Sequence, residues 1–205
     1  MTIAGISTSG SAEDRLVDAT LQSIHRHGLG ATTVTTITEI AGLSRGMVRH
    51  EFGSKQQLVM ATMTRLCDRW LSSTEPDSNL SGAEQARSIV RAMFAPEAFN
   101  PVHVDAWLAL SVEANSDPEL RRLRDETERR WLAQLTVAYE ASEVIDPQQA
   151  AAVTLAAADG LWLRRRVGRD GSETISDAAS ERAALRLVDA LLGDPADRGS
   201  SAPPP

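Results

Sequence analysis

Apolar residues recur three and four positions apart along most of the chain, which is the spacing of one face of an α-helix. In the first such segment, residues 11–27, Leu16, Leu21 and Ile24 lie on the apolar side, and Gly28 follows as a stop. No stretch alternates apolar and polar residues with the period of two that a half-buried strand requires. The pattern therefore predicts an all-α protein.

Capping residues and prolines predict where the later helices begin and end. Ser54 and Ser81 each precede a glutamine or glutamate by three residues, which is the capping-box pattern. Asp117 and Asp146 each precede a proline, which is favoured in the first turn of a helix. The predicted helices after the first 54 residues cover about 55–73, 81–94, 101–115, 117–142, 146–167 and 177–192, the last opened by residues 174–177. The proline-rich end, residues 194–205, is predicted to be disordered.

The segment from Thr32 to Lys55 has the layout of a helix-turn-helix. Apolar residues at helical spacing lead to Gly42, which ends the first short helix, and Ser44 is placed to cap the second. The second helix turns Val48 and Phe52 towards the core and leaves its other positions outside, as a recognition helix does. The alternative is an αα-hairpin that serves packing alone.

This segment resembles the TetR family of bacterial transcriptional regulators. The sequence motif typical of that family has two tyrosines where this chain has Arg49 and Glu51. The resemblance implies a three-helix DNA-binding domain at residues 1–55, followed by a helical ligand-binding and dimerisation domain at 56–193 and the tail 194–205. The positions that it implies for DNA contact are Thr33, Thr35, Ser44, Arg45, Gly46, Met47, Arg49, His50 and Lys55.

Within that set, the resemblance implies four positions that approach the bases, two near phosphates and two at the start of the preceding helix. These are Arg45, Gly46, Met47 and Arg49 for the bases, His50 and Lys55 for the phosphates, and Thr33 and Thr35 for the helix start. Arginine is suited to the O6 and N7 atoms of guanine, so Arg49 either alters the sequence preference or exchanges one phosphate contact for another. Glu51 puts a negative charge near the DNA.

The formal net charge of −7 is carried by the residues after Lys55. It lies outside the predicted DNA-binding domain, residues 1–55, which we call the reader. Up to Lys55 the chain has five acidic and five basic residues, so this part is neutral. We therefore expect affinity for double-stranded DNA to depend on dimerisation and base contacts more than on overall charge.

The last two predicted helices are suited to close packing. The helix at 147–167 is rich in alanine and contains Gly160, which allows another helix to approach closely. Its expected partner is the helix at 177–192, through Ala179, Ala183, Leu187, Val188 and Leu191. In the TetR family these two helices form a four-helix dimer interface, which implies a homodimer; the alternative is packing within one subunit alone.

Four tryptophans fall on four different predicted helices after the reader and suggest a cavity for a small-molecule effector. The stretch between Trp107 and Arg164 is similar to the BetI-like branch of TetR regulators, whose naming member controls choline and betaine metabolism. An aromatic cage with a carboxylate such as Asp105 suits a quaternary ammonium ion, whereas an apolar or planar molecule suits the same rings. The candidate ligand-binding residues are Cys67, Trp70, His103, Trp107, Glu113, Trp131, Asp159 and Trp162. For Cys67 and for each tryptophan, ordinary core packing is the alternative.

Other classes of function find little support. The single cysteine and four histidines form no metal-spaced set, and no phosphate-binding loop or nucleophile elbow is present, so we expect no metal, no cofactor and no enzyme. No apolar run approaches the roughly 20 residues of a membrane span, and residues 1–10 lack a signal-peptide pattern, so we expect a cytoplasmic protein.

The prediction is a ligand-responsive regulator, most simply a repressor, that binds a near-palindromic operator as a homodimer and is released by a small molecule. The alternatives are a ligand- or protein-binding dimer without DNA binding and a small all-α enzyme.

Overall fold

The computed structural model describes residues 10–167 and 177–193, and only the backbone of residues 165–167 and 177. The secondary structure of this part is entirely helical, which confirms the all-α prediction. Its helices are α1 (Ala12–His27), α2 (Val34–Ala41), α3 (Arg45–Phe52), α4 (Lys55–Ser73), α5 (Gly82–Phe94), α6 (Pro101–Glu113), α7 (Pro118–Glu140), α8 (Pro147–Val167) and α9 (Asp177–Leu192). The segment 174–176 and the tail 194–205 lie outside the described residues.

Side-chain caps fix several of these helix starts. Reciprocal capping boxes join Ser11 to Asp14 and Ser81 to Glu84, and in each pair the serine holds the pKa of the carboxyl below its ordinary value. Asp117 accepts hydrogen bonds from two backbone N–H groups of the first turn of α7. These caps explain why most boundaries follow from the sequence alone.

The end of α7 differs from its prediction. The helix stops at Glu140 because Glu143 adopts a positive φ of 58° and Val144 N donates to Tyr139 O. This is a left-handed helix stop without a glycine, so no sequence signal marked it.

The first three helices and the start of α4 share one small core. Leu16, Ile37, Val48 and Leu58 are at most 2% exposed and meet at its centre. At the turn from α2 to α3, Gly42 has φ 64° and ψ 37°, the left-handed conformation that favours glycine. The predicted helix-turn-helix therefore forms, with α3 held by its buried side.

The described residues form two compact units. One contains the residues up to Arg69 and those from Asn100 to Thr127, and the other contains those from Trp70 to Phe99 and from Glu128 onward. In the first unit, α1 packs on α2, α3 and α6. In the second, α9 packs on α5 and α8. The division at residue 55, which separates two functions, stays a prediction.

The buried face of α9 differs from the predicted one. Ser180, Ala184, Val188 and Leu192 are the buried residues of α9. Of the predicted set, Val188 alone is buried, and Ala179, Ala183, Leu187 and Leu191 are half-exposed. Both α5 and α8 pack on α9, and the periodicity of the α9 sequence does not reveal α5 as a partner.

Candidate DNA interface and effector site

The outer face of α3 is open to solvent. Arg45, Gly46, Arg49 and His50 are exposed, while Val48 on the opposite side is 2% exposed. Met47 is half-buried and packs against the core of the first three helices. Of the residues predicted to approach bases, Met47 therefore also has a structural role.

Ser44 stands at the N-cap position of α3 with an extended backbone, but its side chain makes no capping hydrogen bond. The expectation that its hydroxyl caps the helix is wrong. Met47 N instead donates to the backbone oxygen of Ser44 at 3.0 Å, so the turn closes through the main chain. The Ser44 residue is exposed, next to the outer face of α3.

Glu51 has a partner in its own helix. Its Oε1 lies 3.1 Å from His50 Nδ1, and the side chains are 25% and 76% exposed, respectively. Because an ionised carboxylate can only accept, His50 Nδ1 donates in this pair. The His50 side chain stays largely exposed while it makes this contact.

Three further predicted DNA-contacting residues lie in or beside the start of α2, and two of them have roles inside the fold. Thr33 caps α2 in a reciprocal box with Thr36, a box that sequence reasoning missed. Lys55 is half-buried, and its Nζ donates to Thr32 O at 3.0 Å. Thr35 is half-buried in the first turn of α2. Thr33 and Lys55 thus fix the start of α2.

Sequence reasoning also missed the polar side of α1. Arg15 reaches the end of α2, and Ser23 Oγ lies 3.0 Å from Thr36 Oγ1 at its start. The side chain of Asp105 is 6% exposed, and its Oδ2 lies 2.7 Å from His25 Nδ1. No sequence signal marks these pairs, because their partners are distant in the chain and are partly backbone atoms.

Three of the four tryptophans come together in the second unit. The ring centroids of Trp70 and Trp162 are 5.1 Å apart in an edge-to-face arrangement, and those of Trp70 and Trp131 are 6.0 Å apart. Phe99 lies 6.1 Å from Trp162. All four side chains are buried, and the Trp162 Nε1–H has no hydrogen-bond partner among the described residues. We call these four residues the aromatic cluster.

The other candidate effector residues are divided between the two units. Asp159 lies half-exposed on α8 in the second unit. Cys67, His103, Trp107 and Glu113 belong to the first unit. Trp107 is 3% exposed in the first unit, and a cavity shared by all four tryptophans stays a prediction.

Within the first unit, each of the predicted residues has its own surroundings. Burial raises the pKa of the Cys67 thiol to about 11, against a smaller lowering by the Thr127 hydroxyl. His103 Nδ1 accepts a hydrogen bond from Asn100 Nδ2 at 2.9 Å, and Asn100 also caps α6. Glu113 is exposed and lines two clefts, of about 340 Å³ and about 990 Å³, beside the start of α4.

Within the described part of the chain, no group of three histidine, cysteine, aspartate or glutamate residues is placed to hold a metal ion. Among the helices of this part, none combines the length and the hydropathy that a membrane-spanning segment requires.

Comparison with known proteins assigns both halves of the chain. Residues 16–62 match the family "Bacterial regulatory proteins, tetR family", and residues 82–193 match "BetI-type transcriptional repressor, C-terminal". The "HTH-type transcriptional regulator BetI" of Burkholderia mallei is 35% identical over 182 residues, covering 87% of this chain and 92% of the relative. The protein of the same name from Burkholderia cenocepacia is 34% identical over 189 residues, with the same coverage.

Solved structures share the fold. A transcriptional regulator from Rhodococcus sp. RHA1 superposes with a TM-score of 0.76 at 21% identity, covering 95% of this chain and all of its own. A regulator from Saccharomonospora viridis, solved in complex with choline, has a TM-score of 0.71 at 18% identity and covers 86% of this chain and 95% of its own. The matched families and relatives are transcriptional regulators and not enzymes. The helix-turn-helix, the helical second half and these relatives together show that the chain belongs to the TetR family of transcriptional regulators, with a C-terminal region of the BetI type.

Proposed function

We propose that this protein is a homodimeric repressor that binds a near-palindromic operator and is released by a small organic molecule. The observation that carries the proposal is the outer face of α3, where Arg45, Arg49 and His50 are exposed together while Val48 anchors the helix. A short helix presented in this way fits the major groove of DNA.

Arg45 and Arg49 are the proposed base-contacting residues, since a guanidinium can donate two hydrogen bonds to one guanine. Gly46 lies between them and lets the helix approach the DNA backbone closely. The exposed Ser44 hydroxyl is placed for a phosphate oxygen, and His50 can donate its Nε2–H to another when both of its ring nitrogens carry a proton. Lys55 has three N–H donors, so it can bind a phosphate while it holds Thr32 O.

Specific binding requires a dimer, because one short recognition helix contacts only a few base pairs. The helices α8 and α9 offer a surface for it. Ala152, Ala156, Gly160 and Leu163 form an exposed stripe on α8, and no atom lies within 4 Å of a Cβ added at Gly160. Ala183, Leu187 and Leu191 form a half-exposed stripe on α9. Small residues on α8 allow a second α8–α9 pair to pack closely.

The aromatic cluster is the proposed effector site. Its rings offer the faces that bind an organic cation, and the buried Trp162 Nε1–H requires an acceptor atom. A quaternary ammonium ion that also carries an oxygen meets both demands, and one fold neighbour was solved with choline. Since the rings now contact one another, ligand entry requires them to separate, which moves α4, α7 and α8.

The contact between α1 and α6 can transmit a movement of α6, in the second half of the chain, to the helix-turn-helix. The pair of His25 and Asp105 joins these helices at 2.7 Å. A shift of α6 would therefore pull on α1, which packs directly on α2 and α3.

The DNA-binding proposal is tested by fluorescence anisotropy with labelled fragments from around the coding region of the protein. We expect a dimer to bind one short near-palindrome, and Arg45→Ala to weaken binding about tenfold or more, the cost of one lost bidentate base contact. Arg122→Ala, which removes an exposed arginine on α7, is the matched control and should leave affinity unchanged. If no genomic fragment shows salt-sensitive sequence preference, the protein is instead a ligand- or protein-binding dimer without DNA recognition. The negative charge of Glu51 favours this alternative.

The effector proposal is tested by thermal shift with choline and with its uncharged isostere 3,3-dimethyl-1-butanol. Binding to the folded dimer raises its apparent stability. We expect choline to raise the melting temperature and release DNA, and the isostere to do neither. Equal effects of both compounds would indicate an apolar ligand, and a Trp162→Phe protein that still responds fully would remove the indole N–H from the site.

A further inference from the structure

The end of α2 leaves backbone carbonyls that need partners. An α-helix has no internal donor for its last carbonyl groups, and α2 has no basic residue in its own last turn. The chain turns there at Gly42, where Leu43 N donates to Thr38 O at 3.0 Å. Because α3 begins three residues after Gly42, any change in this turn changes the direction of the recognition helix.

A side chain from α1 supplies the missing donor. Arg15 Nη2 lies 2.5 Å from Ala41 O and 3.4 Å from Gly42 O. The residue is half-buried, and its Nε is buried with no hydrogen-bond partner among the described residues. The guanidinium is thus directed into the protein, at the carbonyl end of α2, and its charge is favourable there.

The same helix also holds the other end of α2. Ser23 Oγ lies 3.0 Å from Thr36 Oγ1 and 3.2 Å from Thr32 Oγ1. Two polar groups on one face of α1 therefore bracket the eight residues of α2. Apolar packing lets two helices slide and rotate slightly, whereas hydrogen bonds at both ends fix the register between them.

We propose that Arg15 is a positioning residue for DNA recognition: it fixes the turn between α2 and α3 and so sets the angle of the recognition helix, without contacting DNA itself. This inference rests on the proposed operator binding. It extends the interface beyond the helix-turn-helix, because α1 determines how the reader meets the two half-sites of an operator.

The contact is tested first without DNA, by amide hydrogen exchange in Arg15→Ala, Arg15→Lys and wild type. We expect the amides of Gly42 and Leu43 to exchange about tenfold faster in Arg15→Ala, since a lost charged hydrogen bond costs about that factor. Arg15→Lys keeps the charge and should restore part of the protection. Arg26→Ala removes an exposed arginine from the same helix and should change nothing at the turn.

The role in recognition is tested by operator affinity as a function of salt. A lost phosphate contact lowers the slope of log affinity against log salt by about one, whereas a lost positioning contact does not. We expect Arg15→Ala to bind its operator about tenfold more weakly, with an unchanged salt slope and reduced discrimination against a mismatched half-site. The circular dichroism spectrum should stay that of a folded helical protein.

The outcomes separate this inference from the proposed function. If wild type binds no operator, the proposed function fails, and the exchange experiment still decides whether Arg15 holds the turn. Unchanged exchange at Gly42 and Leu43 in Arg15→Ala overturns the positioning role. So does an operator affinity equal to that of wild type, or a loss of affinity accompanied by a lower salt slope, which would make Arg15 a phosphate contact.

Discussion

At the scale of single residues, opposite charges lie next to each other on the proposed DNA-binding surface. Arg49 and His50 are exposed, and the carboxylate of Glu51 is 3.1 Å from His50 Nδ1. A negative charge here attracts the imidazole and repels phosphates. Glu51 therefore opposes part of the binding that its own helix provides.

Glu51→Gln should strengthen operator binding about threefold, because the amide can still accept from His50 while the repulsion of phosphates is gone. Anisotropy titration against the operator measures the change. Glu39→Gln, which removes an exposed carboxylate from α2, controls for net charge. Equal gains in both variants would show that Glu51 has no local effect.

The Cys67 thiol should react slowly in the folded protein. Burial raises the pKa of its thiol from 9.0 to about 11, so only about one thiol in a thousand is ionised at pH 8. We expect reaction with a disulfide reagent to be slow for the native protein and fast after unfolding in urea. Rapid reaction of the native protein would mean that Cys67 is accessible.

At the scale of elements, helices are fixed at their ends as much as along their faces. α1 holds both ends of α2, and capping residues start α5, α6 and α7. In the second unit, α5 also begins against α7, where a Cβ at Gly82 would lie 2.6 Å from Ala138 O. This close approach needs a residue without a side chain.

Gly82→Ala should destabilise the protein by about 1–3 kcal/mol, because the added methyl group overlaps a backbone carbonyl that cannot move without bending α7. Urea unfolding measures the loss. Gly30→Ala is the control, since no atom lies within 4 Å of its added Cβ. Equal stability of the two variants would show that α5 shifts freely along α7.

At the scale of the whole molecule, the proposed switch depends on two surfaces with different chemistry. The reader is neutral in charge and presents arginines on one short helix. The proposed dimer surface is the small, apolar stripe of α8 together with the half-exposed apolar stripe of α9. Specific binding of DNA requires both, because affinity from one half-site is too weak.

Ala156→Arg should convert the dimer to a monomer and abolish operator binding at nanomolar concentrations, since a long charged side chain separates two closely packed helices. Light scattering after size exclusion gives the mass. Ala133→Arg, at an exposed position of α7, should remain dimeric. A dimeric Ala156→Arg protein would place the interface elsewhere.

Local sequence signals predict the all-α class, most helix boundaries and the helix-turn-helix. These depend on interactions within a few residues: the 3.6-residue period, the caps at Ser81 and Asp117, and the left-handed Gly42. The exposed positions of α3 also followed from its period. The stop at Glu143 was missed because it uses a left-handed residue without glycine.

The tertiary structure alone decided which distant groups meet. Arg15 and Ala41 are 26 residues apart, and His25 and Asp105 are 80 apart. The grouping of Trp70 with Trp131 and Trp162 likewise depends on how separate helices cross. Helical periodicity states which side of a helix is buried, but the partner of a buried polar group depends on the crossing angles and offsets of whole helices, which are set by the packing of all their side chains together.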